Sequence, residues 1–245
     1  RMDASNKISA FDSLLFTDTK YKDYNMGIKH TLPVNTSFKI LKFLMLNPSI
    51  TYTNRMYLQS IEKNWVDPTD STLGIIMVDT IAGFRTAHNF LFNTNMKTKI
   101  YGMLQFNKLP IKAIRHVITP SIGFSYRPDY GEEKYGYYKN VQSDTMGGMA
   151  NYSIFDGGAN TWTGIYGTPS KGKYGSIDFS IANNIEMKIK SKKDSINPIK
   201  KVKIIENLTL STSYNLAADS MKWKPITLSG FTRLFSNIIY IRYNA

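Results

Sequence analysis

The stretch that decides the fold is RHVITPSIGFSYRPDY, residues 115–130. Counted from the residue before it, every second position forms an apolar file broken only by His116: Ile114, Ile118, Pro120, Ile122, Phe124 and Tyr126. The positions between them form a small-polar and cationic file whose one apolar member is Val117: Arg115, Thr119, Ser121, Gly123, Ser125 and Arg127. Because successive side chains of a strand point to opposite faces, this stretch predicts a strand with one apolar and one polar face.

The composition excludes one kind of membrane protein and leaves another open. The chain has 245 residues, 42% of them hydrophobic, and a mean hydropathy of −0.28. It contains no run of about 18 apolar residues, which excludes a transmembrane helix. The strands of a membrane barrel remain possible, because they carry apolar residues only at alternate positions. Cysteine is absent, so disulfides and thiol-bound metals are excluded.

The net charge of +13 suggests a nucleic-acid partner at first sight. The distribution of the charge argues against it, because many of the cations alternate with apolar residues along predicted strands. No nucleic-acid-binding motif is present. We therefore expect no nucleic-acid partner.

The same alternation recurs along the chain and predicts further strands at 24–38, 44–59, 83–103, 174–190, 204–218, 226–234 and 238–243. Residues 44–59 alone would extend to about 50 Å. Globular strands average about 5–6 residues, whereas about 9–11 tilted residues cross a membrane. The sequence therefore predicts an all-β fold, an antiparallel transmembrane β-barrel segment of eight or nine long strands. We expect residues 1–245 to form a single segment of a larger barrel.

The connections also follow the pattern of outer-membrane barrels. If strands alternate in direction, the long connections gather mostly on one rim, as external loops do. The longest is the Gly- and Tyr-rich stretch at about 129–172, which we predict to be an external loop. The basic connection at 191–203 is long for the opposite rim and counts against this scheme.

Four stretches resemble the Bacteroidetes-type LPS-assembly protein LptD: RHVITPSIGFSYRPDY (115–130), YGYYKNVQSD (135–144), IANNIEMKIKSKKD (181–194) and LTLSTSYNLAADSMKW (208–223). Within the first, TPSIGFSYRP (119–128) is also similar to the P-x-x-x-Y-x-x-P strand of the wider LptD family. The resemblance implies an integral outer-membrane barrel of a Gram-negative bacterium with very many strands. Such a barrel receives lipopolysaccharide from a periplasmic Lpt bridge and inserts it into the outer leaflet through a lateral opening. The implied partners are lipopolysaccharide, membrane lipid, that bridge and an LptE-like plug lipoprotein in the lumen.

The chain departs from this family in what it lacks. It starts with Arg1, shows no signal peptide and no jelly-roll domain, and has too few strands to close such a barrel. We expect it to be an interior or C-terminal part of the barrel wall, so no gate residues are assigned.

No catalytic constellation is present, and we expect no enzyme, cofactor or metal site. His30, His88 and His116 lie on different predicted strands, and the acidic residues of the long loop lack the spacing of a calcium loop.

The strand faces instead supply three groups of candidate site residues. The cations of the polar files are candidate lumen residues: Lys29, Arg55, Arg85, Arg115, Arg127, Lys188, Lys190 and Arg233. The apolar files are candidate lipid contacts: Leu46, Ile50, Ile118, Ile122, Phe124, Ile177, Phe179, Ile181, Leu208 and Leu210. Aromatics near strand ends form a candidate interfacial girdle: Tyr52, Trp65, Tyr126, Tyr130 and Trp223. The lumen cations would attract lipopolysaccharide phosphates or a plug, or would simply pair with neighbours such as Asp178 and Glu186.

Three functions stay open at this point. The first is part of an outer-membrane translocon that inserts lipopolysaccharide into the outer leaflet. The second is a wall segment of another large outer-membrane barrel, either a solute channel or a secretion scaffold. The third, a soluble β-sandwich binding protein, is disfavoured by the strand lengths.

Overall fold

Antiparallel strands make up nearly all the regular structure of the computed structural model, which describes residues 2–5, 25–67, 74–106, 110–156, 165–190, 199–234 and 239–245. The strands are β1 (Met2–Ser5), β2 (Asn25–Asn35), β3 (Phe38–Ile40), β4 (Leu44–Val66), β5 (Ile75–Lys97), β6 (Ile100–Gln105), β7 (Ile111–Arg127), β8 (Tyr138–Gln142), β9 (Met149–Ser153), β10 (Tyr174–Lys190), β11 (Ile199–Asn215), β12 (Thr227–Leu234) and β13 (Ile239–Asn244). One 3-10 turn, Glu133–Tyr135, precedes β8. Within the described ranges, no helix has the length and apolar character needed to cross a membrane.

Eleven strands belong to one sheet, in the order β1-β2-β4-β5-β7-β10-β11-β12-β13, with β3 beside β4 and β6 beside β7. Counting β3 and β6 as continuations of β2 and β5, the sheet has nine strand positions. The order is linear, so among the described residues the sheet is not closed. The predicted fold class, an antiparallel barrel-wall segment of eight or nine long strands, is confirmed.

Two strands are longer than their sequence pattern predicts. β4 and β5 have 23 residues each, which at about 3.3 Å per residue is on the order of 75 Å. The sequence predicts a loop over residues 62–79, but β4 continues to Val66 and β5 already starts at Ile75. Polar residues such as Lys63 and Asn64 interrupt the apolar alternation there, so the periodic signal ends before the strand does.

A proline explains a break that the sequence pattern does not predict. The predicted strand 83–103 is interrupted at Thr98 and Lys99, between β5 and β6. Both strands pair with β7, β5 through Lys97 opposite Ser121 and β6 through Ile100 opposite Ile118. The gap therefore lies opposite Pro120, which has no N–H to donate to a neighbouring strand. Its carbonyl still accepts a hydrogen bond from the Thr98 N–H at 3.2 Å.

The pairing of β10 with β11 contains a double irregularity. Asn183 lies opposite Leu208, Ile185 opposite Ile205, and Glu186 opposite Lys203. Each of the two shifts places one extra residue in β11, as a β-bulge does. Because there are two shifts, the alternation is restored, and even-numbered residues of β10 face odd-numbered residues of β11 on both sides of the irregularity.

Packing divides the chain into two compact units. The first comprises Arg1–Val34, Ile50–Leu91 and Arg127–Lys173. Its described residues hold two buried clusters, one of Tyr57, Ala87, Tyr130, Tyr137 and Phe155 and one of Ile61, Val141 and Tyr152. The second unit comprises Asn35–Ser49, Phe92–Tyr126 and Tyr174–Ala245 and contains the complete strands β10 to β13.

Candidate functional site: the polar face and its covering loop

The strand register keeps the apolar and polar files on separate faces. In β10 and β11, apolar residues lie opposite one another at several positions, with Ile181 opposite Leu210 and Met187 opposite Val202. Polar positions also match, with Ser180 opposite Ser211 and Asp178 opposite Ser213. We call the face of Ser180 the polar face and the face of Ile181 the apolar face. The same division holds in β7, where Asn95 of β5 lies opposite Gly123 and Met96 lies opposite Ile122.

Apolar side chains remain uncovered on the apolar face. Ile181 is 46% exposed and Leu210 is 40% exposed, and Ile50 and Ile122 are exposed to a similar extent. The other six predicted lipid contacts are half-buried: Leu46, Ile118, Phe124, Ile177, Phe179 and Leu208. A face of this kind needs an apolar medium or an apolar partner to cover it.

One hydrogen-bonded polar pair lies in the apolar file. His116 Nε2 and Asn183 Oδ1 are 3.1 Å apart, and the Asn183 side-chain amide also donates to the Leu208 carbonyl at 3.3 Å. His116 is the exception in the apolar file of β7 and Asn183 is the polar residue among the apolar positions of β10, but the sequence does not show that the two contact each other. Their pairing reduces the cost of placing polar groups on this face.

A covering loop, residues 128–156 and 165–173, packs on the polar face of β4 and β5 in the first unit. It contains the hairpin β8–β9, in which Tyr138 lies opposite Ser153 and Gln142 opposite Met149. The sequence predicts a long loop here but not this hairpin. Tyr57 and Ala87 from the polar files of β4 and β5 are buried against the loop.

Two tyrosines of the covering loop satisfy the backbone of β5 where its described pairing with β7 has ended. The Tyr130 hydroxyl accepts a hydrogen bond from the Phe90 N–H at 2.7 Å and lies 3.5 Å from the Phe90 carbonyl. The Tyr137 hydroxyl accepts from the His88 N–H at 3.0 Å and donates to the His88 carbonyl at 3.3 Å. We call Tyr130 and Tyr137 the edge-capping tyrosines. They occupy the place that a neighbouring strand would take and so protect a strand edge.

The pKa values of these loop tyrosines are raised. Burial disfavours the phenolate and raises the pKa of Tyr130, Tyr137 and Tyr138 above the usual value. Their hydroxyls therefore stay protonated over the physiological range and serve as neutral donors and acceptors. In the same loop, the hydrogen bond to Glu62 at 2.9 Å raises the pKa of Lys139.

An aspartate closes the base of the covering loop. Asp129 Oδ1 accepts hydrogen bonds from the N–H groups of Gly131 and Gly172, each at 2.7 Å. The Arg127 guanidinium donates to the Gly172 carbonyl at 3.0 Å. The two ends of the loop are thereby joined at the point where β7 leaves the sheet.

Several predicted lumen cations contact the covering loop. Arg55 donates to the Tyr166 carbonyl at 3.1 Å and to the Asn89 side chain. Lys29 Nζ lies 5.9 Å from the centre of the Tyr166 ring. Arg85 borders a cavity of about 290 Å³ beneath the loop, together with Tyr135 and other residues. These cations therefore position the loop on the polar face.

The remaining predicted cations belong to the second unit. Arg115 forms an ion pair with Glu186 at 2.7 Å, and Arg233 forms one with Glu206 at 2.6 Å. Lys188 and Lys190 are exposed. Lys188 lies directly opposite Lys201, and both border a cavity of about 180 Å³ with Arg115 and Glu186.

The structure does not gather the predicted girdle aromatics into one set of contacts. Tyr130 is buried in the covering-loop cluster, whereas Trp223 is 59% exposed and packs against Phe179 and Tyr214. Tyr52 stacks on His88, Trp65 donates to the Asp67 carboxylate at 2.8 Å, and Tyr126 lies opposite Phe92.

The described residues contain no cluster of three or more His, Asp or Glu side chains arranged to hold a metal ion. The site as described consists of an apolar face, a polar face, and cations that contact the covering loop or border the cavity beside Arg115.

Comparison with known proteins identifies one family. A family model described as LptD protein matches residues 1–245. No curated protein and no solved structure matches the chain. The matched range includes all four stretches on which the predicted resemblance rests.

Proposed function

The chain belongs to the LptD protein family and acts in lipopolysaccharide transport to the outer membrane, and we propose that it forms part of a barrel wall inserting that lipid into the outer leaflet. The family is one of transport and assembly proteins. We accordingly propose passive guidance of the lipid with no catalytic step. The proposed location is the outer membrane of a Gram-negative bacterium.

The observation that carries this proposal is the separation of the two faces by the strand register. Apolar pairs such as Ile181 with Leu210 lie on one face of β10 and β11, and polar pairs such as Ser180 with Ser211 lie on the other, although a few pairs such as Ile189 with Lys200 are mixed. The apolar face, which includes the ten predicted lipid contacts, would hold the acyl chains of the bilayer. The polar face would line the lumen, where it would pass the sugar portion of lipopolysaccharide.

The covering loop supports the assignment of the polar face to a lumen. A loop that covered the lipid-facing side of a barrel would separate the apolar side chains from the lipid. This loop instead covers polar and cationic residues such as Arg55, as expected for a loop that folds into the lumen. Its two edge-capping tyrosines satisfy backbone groups that would otherwise be exposed. We propose that the loop narrows the polar passage at the external end. A girdle role for Tyr52, Trp65, Tyr126 and Trp223 belongs to the same proposal.

The proposed partners follow from the same arrangement. Lipopolysaccharide and membrane lipid would contact the polar and apolar faces respectively. An LptE-like plug lipoprotein would fill the lumen, and a periplasmic Lpt bridge would deliver the lipid. The cations of the polar face supply charge for contact with anionic groups of either.

A pair of lysine substitutions at neighbouring positions tests the faces. Ile181→Lys places a charge on the apolar face, where it should cost about 2–4 kcal/mol near the middle of a bilayer and impair barrel assembly. Ser180→Lys makes the same residue on the polar face and should assemble like the unchanged protein. The variants are expressed in cells, and assembly is measured by the difference in gel mobility between heated and unheated samples of the barrel. Equal tolerance of both substitutions would contradict the assignment of faces.

Photocrosslinking in cells then tests the cargo. A photoreactive residue at Ser211, on the polar face, should form adducts with lipopolysaccharide, and one at Leu210 should form adducts with phospholipid instead. Adducts with a lipoprotein alone from Ser211 would identify the polar face as a plug seat. Failure of a correctly assembled barrel to give lipopolysaccharide adducts from Ser211 would contradict the proposed path.

A further inference from the structure

Two lysines face each other on the polar face, and among the described residues neither forms an ion pair. Lys188 of β10 and Lys201 of β11 are directly opposite in the antiparallel register. Like charges in this arrangement destabilise a sheet. Within the described residues, neither lysine has a carboxylate within the 4.0 Å of an ion pair. The pair therefore costs stability in the free protein unless an anion binds between the ammonium groups.

A third cation completes the cluster. Arg115 of β7 borders the same cavity of about 180 Å³, and Glu186 is the one carboxylate beside it. Glu186 is already bound to the Arg115 guanidinium at 2.7 Å. Three cations and one carboxylate leave two positive charges uncompensated, which matches the charge of a phosphate monoester near neutral pH.

The cavity also has an apolar side. Met103 lies opposite Arg115 in the register of β6 and β7, and it borders the cavity together with Ala113. Met103 is 57% exposed, although it lies on the polar face. An apolar surface beside a cationic cluster suits a phosphate that is attached to an apolar group better than a free phosphate ion.

We propose that Lys188, Lys201 and Arg115 bind a phosphoryl group of a lipid on the polar face, beside Met103. The identification of that lipid as lipopolysaccharide, through a phosphate of its lipid anchor, rests on the proposed function. The phosphoryl site itself rests only on the charges and register of β7, β10 and β11. The site lies near the end of β10 and the start of β11, and it would hold the lipid anchor there before the lipid moves along the barrel wall.

The first test uses inorganic pyrophosphate and the full-length protein in detergent. Pyrophosphate should raise the unfolding temperature at constant ionic strength, and chloride should not. Lys201→Gln should raise the half-saturating concentration of pyrophosphate about tenfold, which is equivalent to a loss of about 1.4 kcal/mol in binding free energy. Lys200→Gln is the matched control, because Lys200 lies opposite Ile189 on the other face and carries the same charge.

A charge reversal separates binding from folding. Lys201→Glu should raise the unfolding temperature in the absence of pyrophosphate, because it converts a repulsive pair with Lys188 into an attractive one. The same variant should lose the response to pyrophosphate. A variant that is destabilised and still responds would overturn the site. An equal loss of response in Lys200→Gln would overturn it as well, because it would show non-specific screening.

The second test identifies the lipid. A photoreactive residue at Met103 is exposed to lipid A, to enzymatically dephosphorylated lipid A, and to phosphatidylglycerol vesicles. Adducts with phosphorylated lipid A alone support the lipopolysaccharide assignment. Equal adducts with phosphatidylglycerol would overturn that assignment while the pyrophosphate response upholds the phosphoryl site. A failure of lipopolysaccharide transport in cells would count against the proposed function. It would leave the phosphoryl site intact, because the pyrophosphate response is measured on the purified protein.

Discussion

Replacing both edge-capping tyrosines by phenylalanine should loosen the covering loop from β5 without emptying the cluster beneath it. Tyr130→Phe and Tyr137→Phe keep the rings, whose centroids lie 6.4 Å apart, and remove only the hydroxyls. The N–H groups of Phe90 and His88 then lose their hydrogen-bond acceptors. The consequence should be local, since the described pairing of β5 with β7 begins beyond these residues, at Phe92.

The magnitude follows from the geometry of each bond. A buried donor left without a partner costs about 1–3 kcal/mol. Tyr130 is only 1% exposed, but Phe90 is 40% exposed, so water can reach the released N–H from that side. We therefore expect the low end of the range, about 1 kcal/mol for each tyrosine and about 2 kcal/mol for the pair. A tenfold change in rate corresponds to about 1.4 kcal/mol, so amide exchange should accelerate about fivefold in each single variant.

Amide hydrogen exchange of the protein in detergent measures this effect at the two N–H groups. Tyr135→Phe is the matched control, because its ring packs 4.9 Å from that of Tyr130 while its hydroxyl makes no hydrogen bond among the described residues. It should leave the exchange of Phe90 and His88 unchanged. Unchanged exchange in the double variant, or equal acceleration in Tyr135→Phe, would refute the role of the hydroxyls as caps of the strand edge.

Two further predictions concern the same loop. Asp129→Ala removes the acceptor of two N–H groups, so amide exchange at Gly172 should accelerate about tenfold or more, as expected for bonds to a charged group; unchanged protection there would contradict the closure of the loop base. The pKa values of the edge-capping tyrosines are raised, so their contribution to the free energy of unfolding depends on pH. It is complete below the ordinary tyrosine pKa of about 10 and is lost as the pH rises through the raised pKa values. A difference titration at 295 nm between the unchanged protein and the double phenylalanine variant should therefore show ionisation above pH 10, and a midpoint at or below 10 would contradict the burial effect.

The sequence predicts strands best where apolar and polar residues alternate without interruption. For β10, the predicted bounds Tyr174–Lys190 are those of the structure, because apolar residues recur at alternate positions from Ile177 to Ile189 with Asn183 as the one exception. β4 and β5 are predicted shorter than they are, because neither alternates at the missed end: the last residues of β4 include polar residues on both faces, and the first residues of β5, Ile75 to Val78, are apolar on both faces. The hairpin β8–β9 is not predicted, since its two strands have five residues each and no alternating pattern.

The sequence predicts which residues belong to the candidate site, but it does not predict which residues they contact. The cations of the polar files can be identified from the sequence, but their partners depend on the register between neighbouring strands. Tyr166, which contacts both Lys29 and Arg55, is more than 100 residues distant from Arg55 along the chain. No local pattern could connect a loop carbonyl to a strand guanidinium over that separation.

The lysine pair shows why register carries information that composition lacks. Without the two shifts near Asn183, the pairing of Asn183 with Leu208 would continue in step and place Lys188 opposite Lys203. Lys203 has a carboxylate of its own, Glu206, at 3.8 Å. The shifts bring Lys201 there instead, and Lys201 forms no ion pair with any carboxylate that the structure describes. The two extra residues of β11 thus preserve the faces of the sheet while they concentrate uncompensated positive charge beside Arg115. The repulsion between Lys188 and Lys201 is the register feature on which the proposed phosphoryl site rests.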